Sequence, residues 1–158
     1  VTSQRDHESL RNAAKSVDVF STARVTVPLD QNGCLCTQSL NNWLSSTKQN
    51  TSIKTDPTNE TTSNILLVTT LVCGQTGAIE NLSGIHEILR KSVSRCTRHV
   101  DATQAVGKIP VSFAAINATS LTFAPHKFGG PRGIECLLVQ KTLNMRRSLQ
   151  FPTFRNSW

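Results

Sequence analysis

The sequence has no tyrosine, a single methionine and only 5% aromatic residues over its 158 positions. It also lacks the aromatic RNA-binding motif and any zinc-finger spacing, so the stacking surfaces and metal modules used on nucleic acid are missing. Long apolar runs are absent too. The longest, Ile65 to Val72, is interrupted by Thr69 and Thr70, well short of the roughly 18 apolar residues that a membrane-spanning helix needs. The five cysteines (Cys34, Cys36, Cys73, Cys96 and Cys136) are an odd number with no paired CxxC spacing, which argues against both a disulfide framework and a zinc ribbon. Reduced thiols fit a cytosol-like compartment. Val1 to His7 has neither the basic nor the apolar region of a signal peptide. A cytoplasmic location is expected, with the sequons at Asn50, Asn59, Asn81 and Asn117 unglycosylated.

What is present is an ordinary globular composition, 37% hydrophobic and 17% charged, with a net charge of +7. That charge is unevenly placed. Residues 1–80 carry six Lys/Arg against seven Asp/Glu, and residues 81–158 carry eleven against three. The bases of the second half are scattered rather than striped, and a positive half can equally serve a phosphorylated cofactor. Neither a nucleic-acid nor a membrane partner is expected.

Short β-like runs alternate with helical patterns, the sequence mark of an α/β fold with a mostly parallel sheet and helices packed on its faces. Strands are predicted at Arg24–Val27, Ile65–Val72, Arg98–Val100, Leu121–Phe123 and Ile134–Val139. Leu40, Trp43 and Leu44 mark a short helix that Thr37 can cap, and Ile85, Ile88 and Leu89 a second, ending near Ser94. Cys34 and Cys36 read as weak alternation entering an element after the Asn32-Gly33 turn. Residues 45–64 are polar and broken by Pro57, and are predicted as a loop insertion. Residues 144–158 have no clear period and are predicted as a basic, disordered tail.

Reactive residues cluster at strand ends, where open α/β sheets place their ligands. Asp101 directly follows a strand, with the amide of Gln104 three residues on and a Gly107–Pro110 exit. Lys127, beside His126, follows another strand and precedes a glycine-rich stretch. His7 lies near the start of the chain. Taken singly, Asp101 reads as a helix cap, Lys127 as a solvated lysine and His7 as a surface histidine in the first turn of a helix.

Taken together, His99-Val-Asp-Ala-Thr-Gln-Ala-Val-Gly-Lys-Ile-Pro110 and His126-Lys127 with the following Gly-Pro-Arg-Gly-Ile resemble the pyridoxal-phosphate (PLP) core of the class V aminotransferase superfamily. Within it they are most similar to cysteine desulfurases of the NifS/IscS type. Val1-Thr-Ser with Asp6-His7-Glu-Ser, Asp30-Gln-Asn-Gly33 and Leu71 to Ile79 match further family segments in the same order. The resemblance spans residues 1–143 and implies part of a three-layer, fold type I large domain, homodimeric in the full-length family. It implies that Lys127 holds the cofactor aldehyde as a Schiff base and moves protons, that Asp101 pairs with the ring nitrogen, and that Gln104 donates to the ring hydroxyl oxygen. His7 stacks on the ring and assists proton transfer, and His126 helps hold the phosphate. The implied substrate is L-cysteine, whose sulfur passes to an enzyme persulfide with release of alanine and on to an acceptor or scaffold protein in iron–sulfur cluster assembly. A selenocysteine lyase shares these motifs.

The chain departs from the family at Gly74 and Gln75, where the family has asparagine and glutamate, and at Ala124 and Pro125, where it has a phosphate-binding serine and a small residue. None of the five cysteines aligns with the persulfide position. Since residue 1 is Val, and family segments are expected before and after the chain, the sequence is read as a piece of a longer enzyme. An inactive truncated remnant is the other expectation.

Overall fold

A computed structural model describes residues 1–16, 24–50, 64–93 and 95–141. The elements run β1 (Thr2–Ser3), α1 (Glu8–Ser16), β2 (Thr26–Val27), α2 (Thr37–Asn50), β3 (Asn64–Thr70), α3 (Leu82–Ser92), β4 (Arg95–Asp101), α4 (Phe113–Ile116), β5 (Ser120–Phe123), a 3-10 helix (Pro125–Phe128) and β6 (Cys136–Val139). Strands β3, β4 and β5 are parallel neighbours, and β6 closes the edge antiparallel to β5. β1 pairs with β2 in parallel. The Val1 carbonyl also accepts the Val68 N–H at 2.9 Å, which sets the small sheet against β3.

Periodicity explains which faces are covered. On α2, Leu40 and Leu44 stand one turn apart, as do Ile85 and Leu89 on α3, and all four are fully buried against Val27, Leu35 and Leu67. The Asn81 side chain caps α3 by accepting the Gly84 N–H at 3.0 Å. A second core, made of Leu71, Val100, Ala102, Ala105, Ala118 and Leu121, lies under the loops that follow β4. No helix among the described residues is long and apolar enough to cross a membrane.

Two local expectations change. Residues 45–50 continue α2 rather than starting a loop, and Ser45, Ser46 and Thr47 are accommodated there by turning their hydroxyls back onto the carbonyls of Asn41 and Trp43 at 2.8–2.9 Å. Asn64, the last residue of the predicted insertion, instead opens β3, while residues 51–63 and the predicted tail lie outside the described residues. Between Cys34 and Cys36 it is Leu35 that turns inward, at 1% exposure, while the two thiols are half-buried.

Candidate functional site

The carboxyl ends of β3, β4 and β5 are level, with Thr70 opposite Asp101 and Asp101 opposite Thr122. Pairing persists past the last strand residues: Leu71 donates to the Asp101 carbonyl and Ala102 to the Thr122 carbonyl, both at 2.8 Å. Asp101 is therefore fixed by its backbone on both sides. Its carboxylate is buried, and Oδ1 accepts the Thr103 N–H at 2.8 Å. This is an Asx-type turn rather than a helix cap, and it leaves Oδ2 without a protein donor among the described residues.

The turn after Asp101 is anchored by Ala102 and Ala105, both at 0% exposure. Gln104 rides on it, its Oε1 taking the Lys108 ammonium at 2.5 Å. The Gln104 amide lies over Gly74, where an added Cβ would approach Nε2 to 3.4 Å. The loop after β3 and the turn after β4 thus meet at Gly74 and Gln104.

Lys127 and His126 stand on the 3-10 helix at the exit of β5, both exposed, and the Lys127 ammonium has no hydrogen bond or ion pair among the described residues. Phe128 fastens this helix down. Its ring lies 6.1 Å from that of Phe123 and rests on Gly107, where a Cβ would come within 2.5 Å of the Phe128 side chain. Lys127 is thereby held beside the turn that carries Gln104. Ala124 caps the 3-10 helix with no side-chain hydrogen bond.

His7 opens α1 just after β1, exposed, with Nδ1 2.8 Å from Ser9 Oγ. Its neighbour Asp6 is buried and joins two strand ends, accepting the Ser3 N–H at 2.6 Å and the Thr70 N–H at 2.9 Å. Burial pushes the Asp6 carboxyl above its ordinary value, against the pull of those donors. Through Asp6 and Thr70, His7 is placed at the same edge of the sheet as Asp101.

Sequence reasoning missed three groups here. Arg5 and Glu80 form an ion pair at 3.3 Å with both side chains 1% exposed. Arg5 also donates to the carbonyls of Gly33 and Ala78, and Glu80 accepts the N–H groups of Leu35 and Asn81. Three loops are tied together by this pair. Nothing local announces it, since the partners lie 75 residues apart. Asp6 was legible only as an acid before a helix. His99 shares a strand face with Asp101, its ring held between Ser120 Oγ at 2.8 Å and Thr122 Oγ1 at 3.3 Å. Burial lowers the His99 pKa, and the charge of Asp101 opposes that shift. A cavity of about 240 Å3 behind the turn is apolar, lined by Val106, Ile109, Phe113 and Phe123 among others, and holds none of the five sequence-derived residues.

A mostly parallel sheet with a buried acid, an amide and an unpaired lysine at its carboxyl edge is an architecture suited to an organic cofactor. The aminotransferase class-V family profile matches residues 1–151, and the chain belongs to that family. Cysteine desulfurase IscS of Aeromonas hydrophila is 37% identical over 79 residues, covering 50% of this chain and 19% of the relative. Among solved structures, a NifS-like protein superposes with a TM-score of 0.71 at 22% identity, over 89% of this chain and 34% of its own. SspA, solved in complex with cysteine, gives 0.68 at 19% identity, over 90% of this chain and 36% of its own. The match to IscS thus spans about a fifth of the relative, and the structural matches about a third of each solved chain. The likeness to the solved proteins is one of fold: the α/β, mostly parallel arrangement is part of a fold type I large domain.

Proposed function

We propose that the chain is the PLP-holding part of a cysteine desulfurase-like enzyme that takes sulfur from L-cysteine. One observation supports this above the others: the buried Asp101 carboxylate and the unpaired Lys127 amine leave the ends of adjacent parallel strands at one edge of the sheet. Members of the family use PLP, and the donor set here fits its ring. Lys127 supplies the primary amine for the aldehyde, and Asp101 Oδ2 is a partner for a protonated ring nitrogen. Gln104 Nε2 is a donor for the ring hydroxyl oxygen. The fit is thinner at the phosphate, where His126 is the nearby candidate and Ala124 contributes no hydroxyl. When bound, PLP supplies an electron sink for negative charge at the substrate α-carbon.

The chain's own residues then have distinct tasks. Asp101 holds a proton at the ring nitrogen. Lys127 Nζ takes and returns the proton at the α-carbon, a task that needs an amine free of ion pairs. His7, the residue before α1, is the candidate to cover the ring and to pass a proton.

The test is to add PLP to the purified chain and reduce with borohydride. The expected result is one cofactor fixed on Lys127, none in Lys127→Ala, and at least ~10-fold weaker PLP binding in Asp101→Asn, the cost of losing a charged hydrogen-bond partner. Equal fixation in Lys127→Ala refutes the reading. A second reading, that the chain is an inactive remnant with at most weak cofactor binding, is favoured by the missing hydroxyl at Ala124. Sulfide release from L-cysteine, compared with selenide release from L-selenocysteine, separates the two readings and identifies the substrate.

A further inference from the structure

Three orphaned polar atoms gather away from the carboxyl edge. Thr69 Oγ1, His86 Nδ1 and Arg98 Nε are each closed off from solvent with no protein partner. All three residues line one small cavity, of about 10 Å3, between α3 and the sheet. Leu67 pairs with Arg98 across β3 and β4, so Thr69, two residues along β3, lies diagonally next to Arg98 on the same face. Thr69 is 0% exposed. His86 comes from α3, directly after the buried Ile85.

The hydrogen-bond polarity of the cavity follows from its neighbours. Asn117 caps α4 in the left-handed conformation and brings Nδ2 to 3.5 Å from His86 Nε2. An amide NH2 donates, so Nε2 accepts and the ring proton of neutral His86 sits on Nδ1. Arg98 Nε can only donate. Arg98 also has no ion pair among the described residues, and its guanidinium, half-buried, turns its closed-off Nε into this layer. The cavity therefore receives two N–H donors and one hydroxyl, beside one cation, with Leu82, Ile85 and Ile116 as its other walls.

We propose that this cavity binds a single monatomic anion, chloride in ordinary buffers, between Arg98 Nε, His86 Nδ1 and Thr69 Oγ1. The volume admits one species of about the size of water and excludes sulfate or phosphate. A halide accepts all three donors and offsets the guanidinium charge. A water must also give two protons away, and finds only the Thr69 oxygen and apolar walls. Arg98 and Val100 alternate with Asp101 along β4, so the anion lies on the opposite face of the strand from the Asp101 carboxylate. Nothing in this inference depends on PLP.

Crystals of the full chain grown in bromide are expected to show one anomalous peak among the three atoms. In solution, the melting temperature in chloride or bromide is expected to exceed that in gluconate at equal ionic strength by about 2–4 °C, the size of a 1 kcal/mol linkage effect in a chain of this length. Thr69→Val and Arg98→Met are expected to remove the difference. A non-anomalous water in the bromide crystals overturns the proposal whatever the variants do. So do identical melting curves of the unaltered chain in all three salts.

Discussion

Lys127 and Asp101 follow the ends of adjacent strands in opposite surroundings, the amine exposed and unpaired among the described residues, the acid buried and clasped by Thr103. His99 shares the strand face of Asp101, and burial lowers its pKa against the pull of the Asp101 charge. Its unfolded value is near 6.5 and its folded value is lower. Between the two, the unfolded chain binds a proton that the native one does not, so stability present above pH 6.5 is lost as the pH falls through 6.5 toward the folded value. Urea denaturation from pH 7.5 to 5.5 should therefore show a steeper loss in the unaltered chain than in His99→Asn, by up to about 1.4 kcal/mol per pH unit. Equal slopes would show that His99 titrates as it does in the unfolded chain. The paired sequence motifs pointed to Asp101, Gln104 and Lys127. His99 escaped notice because its role depends on Ser120 and Thr122, hydroxyls of another strand.

At the scale of elements, the decisive contact is that of the 3-10 helix with the turn after β4. Gly107 has φ +78° and no room for a Cβ beneath Phe128, whereas Gly133 has φ +80° and open space around it. Alanine at either site adds about 1–2 kcal/mol of left-handed strain. Gly107→Ala must in addition push Phe128 away, so it should destabilise more than Gly133→Ala and should lower borohydride fixation at Lys127. Thermal melts and mass spectrometry on the two variants check both expectations. Strand β3 and helix α3 were legible because the Ile65–Val72 run is mostly apolar, broken only by Thr69 and Thr70, and Ile85, Ile88 and Leu89 keep helical spacing. The end of α2 was not. Ser45-Ser46-Thr47 has a loop composition, yet the helix runs on with their hydroxyls folded back onto the carbonyls of Asn41 and Trp43.

For the whole molecule, the Arg5–Glu80 pair joins the loops after β1, β2 and β3 into one rim. Glu80→Ala strands a buried guanidinium and should cost about 3–5 kcal/mol by urea denaturation. The double variant Arg5→Met with Glu80→Gln removes both charges and should cost less; an equal or greater loss would refute a charge-based clamp. The α/β class could be read from alternating patterns, but the placing of β1 against both β2 and β3 could not, since those partners leave no local trace. That placing also bears on the order of assembly. Val1 meets Leu66 across 65 residues, and Arg5 meets Glu80 across 75. Closing such long loops costs entropy before any contact repays it. Helices α2 and α3 rest on contacts close in sequence, whereas the Arg5–Glu80 rim forms only once both long loops have closed.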